Sequence, residues 1–286
     1  MVEASDRRAA DDRAPRPTRL VSDRAVDRVT GLDVRIDRVG AGDPVVILNG
    51  LLGLNEHWFG CLPPIADRAE CLLLEPPILE MRGAGATVSG LVELIGSLVG
   101  SLTDRPAVLV GNSLGGHIAL RLSLARPELV RGLVLLGSSG LFERTFEGGA
   151  QHSPSRAWLE KKIGELFADP SRMHPGMVDM AHAELSRRSA ARALVRLGRS
   201  AKADHLGELL PAVRAPVQLL WGRQDVVTPP EVALMFRELL PDARLDWLDP
   251  CGHAPQIERP GEVGAGIARF LDELVGRSAS AASGAA

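Results

Sequence analysis

Short apolar runs that alternate with helical patterns are the feature that most constrains the fold of this chain. Each run is four or five residues long and is followed within two residues by glycine, proline or asparagine. The runs occupy residues 44–48, 71–74, 106–110, 133–136 and 217–221. Helical patterns occupy residues 88–103, 115–126, 230–240 and 261–275. Because the runs are apolar on both faces, they are typical of interior strands covered by helices, and their alternation predicts an α/β fold with a doubly wound, mostly parallel sheet.

The alternation is interrupted over one long stretch, where helical patterns continue without any strand signal. We expect an all-helical lid over residues 141–210, inserted into an α/β core that comprises residues 31–140 and 211–276. Residues 1–30 are rich in Arg, Asp, Ala and Pro and predict a flexible N-terminal arm, while residues 277–286 predict a flexible tail. Inserts that follow the carboxyl ends of strands lie over the ligand-binding edge in such folds, so the lid indicates where a substrate enters.

Composition and charge exclude several classes of protein. With 33 basic and 36 acidic residues the net charge is −3, which offers no overall attraction to nucleic acid. The three cysteines have no CxxC spacing and there is no HExxH segment, so neither a disulfide framework nor a metal site is predicted. The charged N-terminus carries no secretory signal, and no apolar run is long enough to span a bilayer. We therefore expect a cytoplasmic protein without a membrane span, a metal or a cofactor, and the oligomeric state stays open.

A G-x-S-x-G segment at residues 111–115 is the strongest chemical signal. It follows the apolar run at 106–110 directly and precedes a helical pattern. A turn this tight between strand and helix predicts a strained backbone at Ser113, and its glycines allow close approach of neighbouring chain segments. The Ser113 hydroxyl is then held at the sheet edge, beside the N–H groups of the helix N-terminus.

Two further side chains follow other strands at the same predicted edge. Asp225 comes after the apolar run at 217–221, and His253 comes after a short strand pattern at 245–248. A serine hydroxyl needs a base to take its proton, and the base needs an acid to orient it. Because the carboxyl ends of parallel strands share one edge, we expect Ser113, Asp225 and His253 to converge there.

Other residues near these strand ends have alternative interpretations. Glu143 is the second choice for the orienting acid, and Asp246 and Asp249 approach His253 less favourably from its own strand. His117, four residues after the serine, is more consistent with a structural histidine than with a catalytic one. Asn112, next to the serine, is either structural or a substrate contact.

Five segments spread over about residues 33–275 resemble motifs of the α/β-hydrolase family. They are residues 48–53 (LNGLLG), 81–85 (MRGAG), 111–116 (GNSLGG), 221–225 (WGRQD) and 252–255 (GHAP). The resemblance implies that Ser113 is the nucleophile, His253 the general base and Asp225 its orienting acid. It also implies an oxyanion hole formed by the backbone N–H groups of Leu51 and Leu114.

The resemblance implies a serine hydrolase that cleaves a small ester or related acyl compound, its small-molecule substrate, through an acyl-enzyme on Ser113. The GNSxGG segment also looks like that of hydrolases that cleave a carbon–carbon bond of vinylogous diketones, the products of aromatic ring cleavage. Those enzymes commonly have Trp after the catalytic His and Arg in the lid, where this chain has Ala254 and Ala181. A cofactor-free acyltransferase or perhydrolase would use the same residues.

Two features leave further alternatives open. The family usually has a histidine where this chain has Asn49, and we interpret the amide as a hydrogen-bonding substitute in the same loop. A stripe of lid arginines is either a solvated helix face or a source of one inward guanidinium that binds an anionic substrate group. The stripe consists of Arg188, Arg192, Arg196 and Arg199. A non-catalytic binding protein of this fold would usually lack a triad member, and none is missing here.

Overall fold

The structure is a computed structural model that describes residues 19–28, 30–143, 154–174 and 176–283. Its centre is an eight-stranded sheet. The strands are β1 (Val21–Val26), β2 (Asp33–Gly40), β3 (Asp43–Leu48), β4 (Ala69–Glu75), β5 (Ala107–Asn112), β6 (Val130–Leu136), β7 (Val217–Gly222) and β8 (Ala243–Leu248). Their spatial order is β1-β2-β4-β3-β5-β6-β7-β8.

Strand directions confirm the predicted sheet. From β4 through β3, β5, β6 and β7 to β8, every neighbouring pair is parallel. The first two strands are different, because β1 pairs antiparallel with β2 and β2 pairs antiparallel with β4. The carboxyl ends of β3, β5, β6, β7 and β8 therefore lie side by side along one edge.

Helices cover both faces of the sheet, as expected for strands that are apolar on both sides. The helices are α1 (Leu62–Ala66), α2 (Val88–Leu102), α3 (Leu114–Ala125), α4 (Arg156–Gly164), α5 (Met177–Leu185), α6 (Arg188–Ala203), α7 (Pro230–Leu239), α8 (Pro255–Glu258) and α9 (Pro260–Ser283). Within β3, Val46 and Leu48 belong to the apolar cluster that also includes residues of α2, α3 and α7, whereas Val45 and Ile47 belong to the cluster on the other face, with residues of α1 and α9. Among the described residues, no helix combines the length and the apolar character that crossing a bilayer requires.

The two chain ends differ from the expected flexible segments. Residues Val21–Val26, within the expected arm, form an edge strand, and α9 continues to Ser283, within the expected tail. All but one of the β1 residues are exposed, so the strand carries no apolar run by which it could be recognised. Residues 1–18 and 284–286 lie outside the described part of the chain.

The region between β6 and β7 contains α4, α5 and α6 as described, while residues 144–153 and 175 lie outside the description. We call the described part, residues 154–174 and 176–203, the helical insert. Its apolar cluster also includes Ala254, the residue that follows His253. The arginines of the predicted stripe are all exposed on α6, while Ala190 and Leu197 of that helix are buried. The stripe is therefore a solvated helix face over a packed one.

Candidate active site

Ser113 occupies the turn between β5 and α3. Its φ of 53° and ψ of −116° lie in a region that L side chains rarely adopt, as the tight turn predicts. Such a backbone requires room on every side, and a Cβ at Gly115 would overlap the Leu48 carbonyl of the neighbouring strand. The glycines of the segment thus allow the turn that raises the serine at the sheet edge.

Backbone hydrogen bonds connect the Ser113 turn to the end of β6 and the residues that follow it. The Ser113 N–H donates to the Leu136 carbonyl at 3.0 Å, and the Ser139 N–H donates to the Ser113 carbonyl at 3.1 Å. The two hydroxyl oxygens, Ser113 Oγ and Ser139 Oγ, are 3.4 Å apart. Within the described residues this is the hydrogen bond that the Ser113 hydroxyl makes, and none joins it to His253. Ser139 was not predicted from the sequence, since nothing in the pattern after β6 distinguishes it.

Asp225 and His253 are brought together as a buried pair. The Nδ1 atom of His253 lies 2.8 Å from Oδ2 of Asp225. Oδ1 of Asp225 accepts the backbone N–H groups of Val227 at 2.8 Å and Thr228 at 2.9 Å. The Thr228 hydroxyl donates to Oδ2 at 2.9 Å and lies 3.3 Å from His253 Nδ1. The carboxylate is therefore held from both sides.

Thr228 is a site residue that the sequence analysis missed. It is completely buried, and its hydroxyl touches both members of the pair. A signal for it exists, because an aspartate followed three residues later by threonine is typical of a turn in which the carboxylate caps backbone N–H groups.

The surroundings of His253 favour its protonated form. Burial by itself lowers the pKa of His253, but the charge and the hydrogen bond of Asp225 outweigh it, so the pKa lies above its usual 6.5. Because a carboxylate only accepts, we assign the proton of neutral His253 to Nδ1. Nε2 is then an acceptor and can serve as a base.

Asn112 connects the serine strand to the histidine loop. Its Nδ2 donates to the carbonyls of Leu136 and His253, both at 3.0 Å. Its Oδ1 accepts from Gln256 Nε2 at 3.1 Å. The side chain is buried and its hydrogen bonds are taken up within the protein, which favours the structural interpretation over a substrate contact.

Gly137 lies at the end of β6, next to the side chains of Asp225 and His253. It follows Leu136, and its φ is 49°. A Cβ placed there would lie 2.9 Å from Asp225 Oδ2 and 3.0 Å from His253 Nδ1. The backbone of β6 that holds the Ser113 turn is therefore in contact with the acid–base pair.

The two backbone N–H groups expected to form an oxyanion hole belong to neighbouring segments. A Cβ at Gly50, just before Leu51, would lie 3.4 Å from Ser113 Cβ, so this loop passes beside the serine. Among the described residues, the N–H groups of Leu51 and Leu114 have no hydrogen-bond acceptor.

Asn49 lies at the start of that loop, and both its amide nitrogen and its amide oxygen make hydrogen bonds. Its Nδ2 donates to Asn55 Oδ1 at 2.9 Å, and its Oδ1 accepts the Trp58 indole N–H at 3.0 Å. Asn55 in turn donates to Asp37 Oδ2 at 2.8 Å. The amide thus hydrogen-bonds within the loop, as its position in place of the usual histidine led us to expect.

The alternative residues have other partners. His117 Nε2 is 3.0 Å from Asp204 Oδ2, and this partner favours a structural role. Asp249 accepts from Gln224 at 2.9 Å, and Asp246 accepts from Arg269 at 3.2 Å. Glu143 is exposed and, in the described part of the chain, makes no hydrogen bond to the imidazole of residue 253. Its charge contributes to the raised pKa of that imidazole, after the charge and the hydrogen bond of Asp225.

We searched the described part of the chain for a metal site and for reactive thiols. That part holds no cluster of three or more His, Cys, Asp or Glu side chains arranged to bind a metal ion. Cys61 and Cys71 are buried and free, and burial raises the pKa of each thiol to about 12. Thiols of this kind are poor nucleophiles at neutral pH.

Comparison with known proteins identifies the family of this chain. The model of the alpha/beta hydrolase family matches residues 45–265. The chain therefore belongs to the alpha/beta hydrolase family. A similar solved structure is that of MGS-MChE2, an alpha/beta hydrolase enzyme from the metagenome of sediments from the lagoon of Mar Chica, Morocco. The two structures match with a TM-score of 0.69 and 30% sequence identity, and the match covers 84% of this chain and 95% of MGS-MChE2.

Two curated relatives of this alpha/beta hydrolase have different substrates. The pimeloyl-(acyl-carrier protein) methyl ester esterase of Nitrosomonas europaea is 29% identical over 244 residues, which are 79% of this chain and 95% of the esterase. The 2-hydroxymuconate semialdehyde hydrolase of Pseudomonas sp. (strain CF600) is 26% identical over 261 residues, which are 85% of this chain and 92% of that enzyme.

Proposed function

We propose that this alpha/beta hydrolase cleaves a small ester or related acyl compound through an acyl-enzyme on Ser113. The observation that carries the proposal is the buried Asp225–His253 pair, with 2.8 Å between Oδ2 and Nδ1, at the strand edge that also holds the Ser113 turn. A carboxylate that orients an imidazole beside a raised serine is the arrangement that activates a hydroxyl. Thr228 and Gly137 support it by fixing the pair from two sides.

In the first half of the reaction, the Ser113 hydroxyl turns from Ser139 toward Nε2 of His253. Its hydrogen bond to Ser139 is long at 3.4 Å, so little is lost in the rotation. His253 takes the proton as the oxygen attacks the substrate carbonyl. The oxyanion is bound by the free N–H groups of Leu51 and Leu114, each worth about 3 kcal/mol in such sites.

The first half ends when the bond to the leaving group breaks, the leaving group departs with the proton from His253, and the acyl group stays bound to Ser113. In the second half, His253 takes a proton from water as the water oxygen attacks the acyl carbonyl. It then returns this proton to the Ser113 oxygen as the bond to the acyl group breaks and the carboxylic acid is released. The charge on Asp225 stabilises the imidazolium in both halves.

The proposal is tested with p-nitrophenyl esters of increasing acyl length, using the wild type, S113A and S123A. Ser123 is a matched control, since it is buried on α3, the helix that follows Ser113, and its hydroxyl donates to the Leu120 carbonyl at 2.8 Å. We expect hydrolysis by the wild type and S123A, and its loss by about 10³-fold or more in S113A. Equal rates for S113A and the wild type would contradict the proposal.

Carbon–carbon bond hydrolysis is the second candidate. It is favoured by the GNSxGG segment and by the relative whose name is 2-hydroxymuconate semialdehyde hydrolase. The same residues would act on a vinylogous diketone, and a ring-cleavage dienoate in the same substrate panel distinguishes the two. Turnover of the dienoate faster than of every ester would favour this candidate. Acyl transfer and perhydrolysis differ from hydrolysis in the acceptor that removes the acyl group from Ser113, and both stay predictions. The cytoplasmic location also stays a prediction.

A further inference from the structure

Glu258 is a buried carboxylate for which the proposed reaction has no use. It ends α8, five residues after His253. Its two oxygens face different parts of the chain. Oε1 accepts the N–H of Gly252 at 2.7 Å, next to the histidine. Oε2 accepts the N–H groups of Ala168 at 2.8 Å and Asp169 at 3.3 Å, which belong to the helical insert.

The two segments that Glu258 connects also contact each other directly. The His253 N–H donates to the Leu166 carbonyl at 2.7 Å. A Cβ at Gly252 would lie 2.5 Å from the Leu166 carbonyl oxygen and 2.8 Å from the Ala168 nitrogen, so the backbones are in contact. The loop that carries the histidine is therefore held by the helical insert rather than by the sheet alone.

A carboxylate fits this position better than any neutral side chain. Burial raises the pKa of Glu258, and the three backbone N–H donors oppose that rise. Both oxygens face donors, so neither can carry a proton without losing a hydrogen bond. An amide has a single acceptor oxygen and could serve one segment at a time, while its NH2 group would face an N–H on the other side.

We propose that Glu258 is a positioning residue that connects the helical insert to the His253 loop. The inference rests on the proposed function for its catalytic consequence. When the insert is seated, Leu166 accepts the His253 N–H and Glu258 accepts the N–H groups of Ala168 and Asp169, so the loop that carries the imidazole is fixed. When the insert separates from the loop, these crossing bonds are lost, and the loop no longer fixes the base. Substrate cleavage is thus confined to the state in which the insert covers the site.

The test compares E258Q with E262Q by amide hydrogen exchange of the full chain. Glu262 is a matched control in the next helix, since it is exposed and paired with Arg259 at 2.5 Å. In E258Q we expect exchange to rise about 10- to 100-fold in two segments together, residues 166–169 and 251–253, while β5, β6 and β7 stay protected. E262Q should exchange as the wild type does.

The same variants are then assayed for turnover and for labelling by a fluorophosphonate. For E258Q we expect kcat and the labelling rate to fall about 10- to 100-fold with little change in KM. E258D keeps the charge but is one methylene too short to reach both segments, so it should behave in the same direction and serves if E258Q does not fold.

Faster exchange in one segment alone, or unchanged exchange in both, would overturn the proposal. An unchanged labelling rate in E258Q despite faster exchange in both segments would overturn its catalytic part. Failure of the fluorophosphonate to label even the wild type would instead refute the proposed function, and the exchange result would still decide whether Glu258 joins the two segments.

Discussion

Substitution of Gly137 by alanine would place a methyl group directly against the Asp225–His253 pair. The added Cβ would lie 2.9 Å from Asp225 Oδ2 and 3.0 Å from His253 Nδ1, both shorter than an ordinary van der Waals contact. The φ of 49° adds backbone strain, which costs an L residue about 1–2 kcal/mol. Overpacking adds about 1–3 kcal/mol, so we expect G137A to be less stable by about 2–5 kcal/mol in urea unfolding.

Activity should fall further than stability alone explains. The methyl group presses on the hydrogen bond that orients the imidazole, and a displacement of about 1 Å costs about 100-fold in rate. We expect kcat of G137A to fall by that factor or more under conditions where the protein is folded.

The matched control is G31A. Gly31 has a φ of 68° and nothing within 4 Å of the added Cβ, so it carries the strain without the clash. It should lose about 1–2 kcal/mol of stability and keep the wild-type kcat. Wild-type activity in folded G137A, or an equal loss of activity in G31A, would refute the reasoning.

Three further predictions concern the same edge of the sheet. In T228V the hydroxyl that donates to Asp225 at 2.9 Å is lost, so kcat should fall about tenfold or more while circular dichroism shows an unchanged fold. Asp225 keeps the pKa of His253 above 6.5, and the base must be neutral to act. In the wild type, kcat/KM should therefore decline as the pH falls through a value above 6.5. In D225N the activity that remains should decline only at a lower pH than in the wild type. In N49A the Trp58 indole N–H loses its acceptor, which should cost about 1–3 kcal/mol of unfolding free energy and lower kcat by loosening the loop of the oxyanion hole.

The interior of the fold is predictable from sequence because interior strands need apolar residues on both faces. The run at 106–110, for example, became β5, which is buried throughout. The edge strand β1 has no such requirement, since one neighbour is enough and its residues face solvent. It pairs with β2 through backbone hydrogen bonds, which any sequence of suitable backbone can form.

The strand-end residues of the candidate site could be predicted for a topological reason. Ser113, Asp225 and His253 each follow a strand, and parallel strands bring such positions to one edge. The residues that support them could not be predicted in this way. Glu258 acts across 90 positions on Ala168, and Ser139 is defined by its approach to Ser113, so both depend on how separate segments pack.

The covalent intermediate on Ser113 is the most direct test of the account. The wild type is mixed with a p-nitrophenyl ester, quenched in acid within one turnover and measured by intact mass and peptide mapping. We predict a mass increase equal to the acyl group, located on the peptide that contains Ser113 and missing in S113A. Steady turnover without any such adduct, together with undiminished turnover by S113A, would contradict the account.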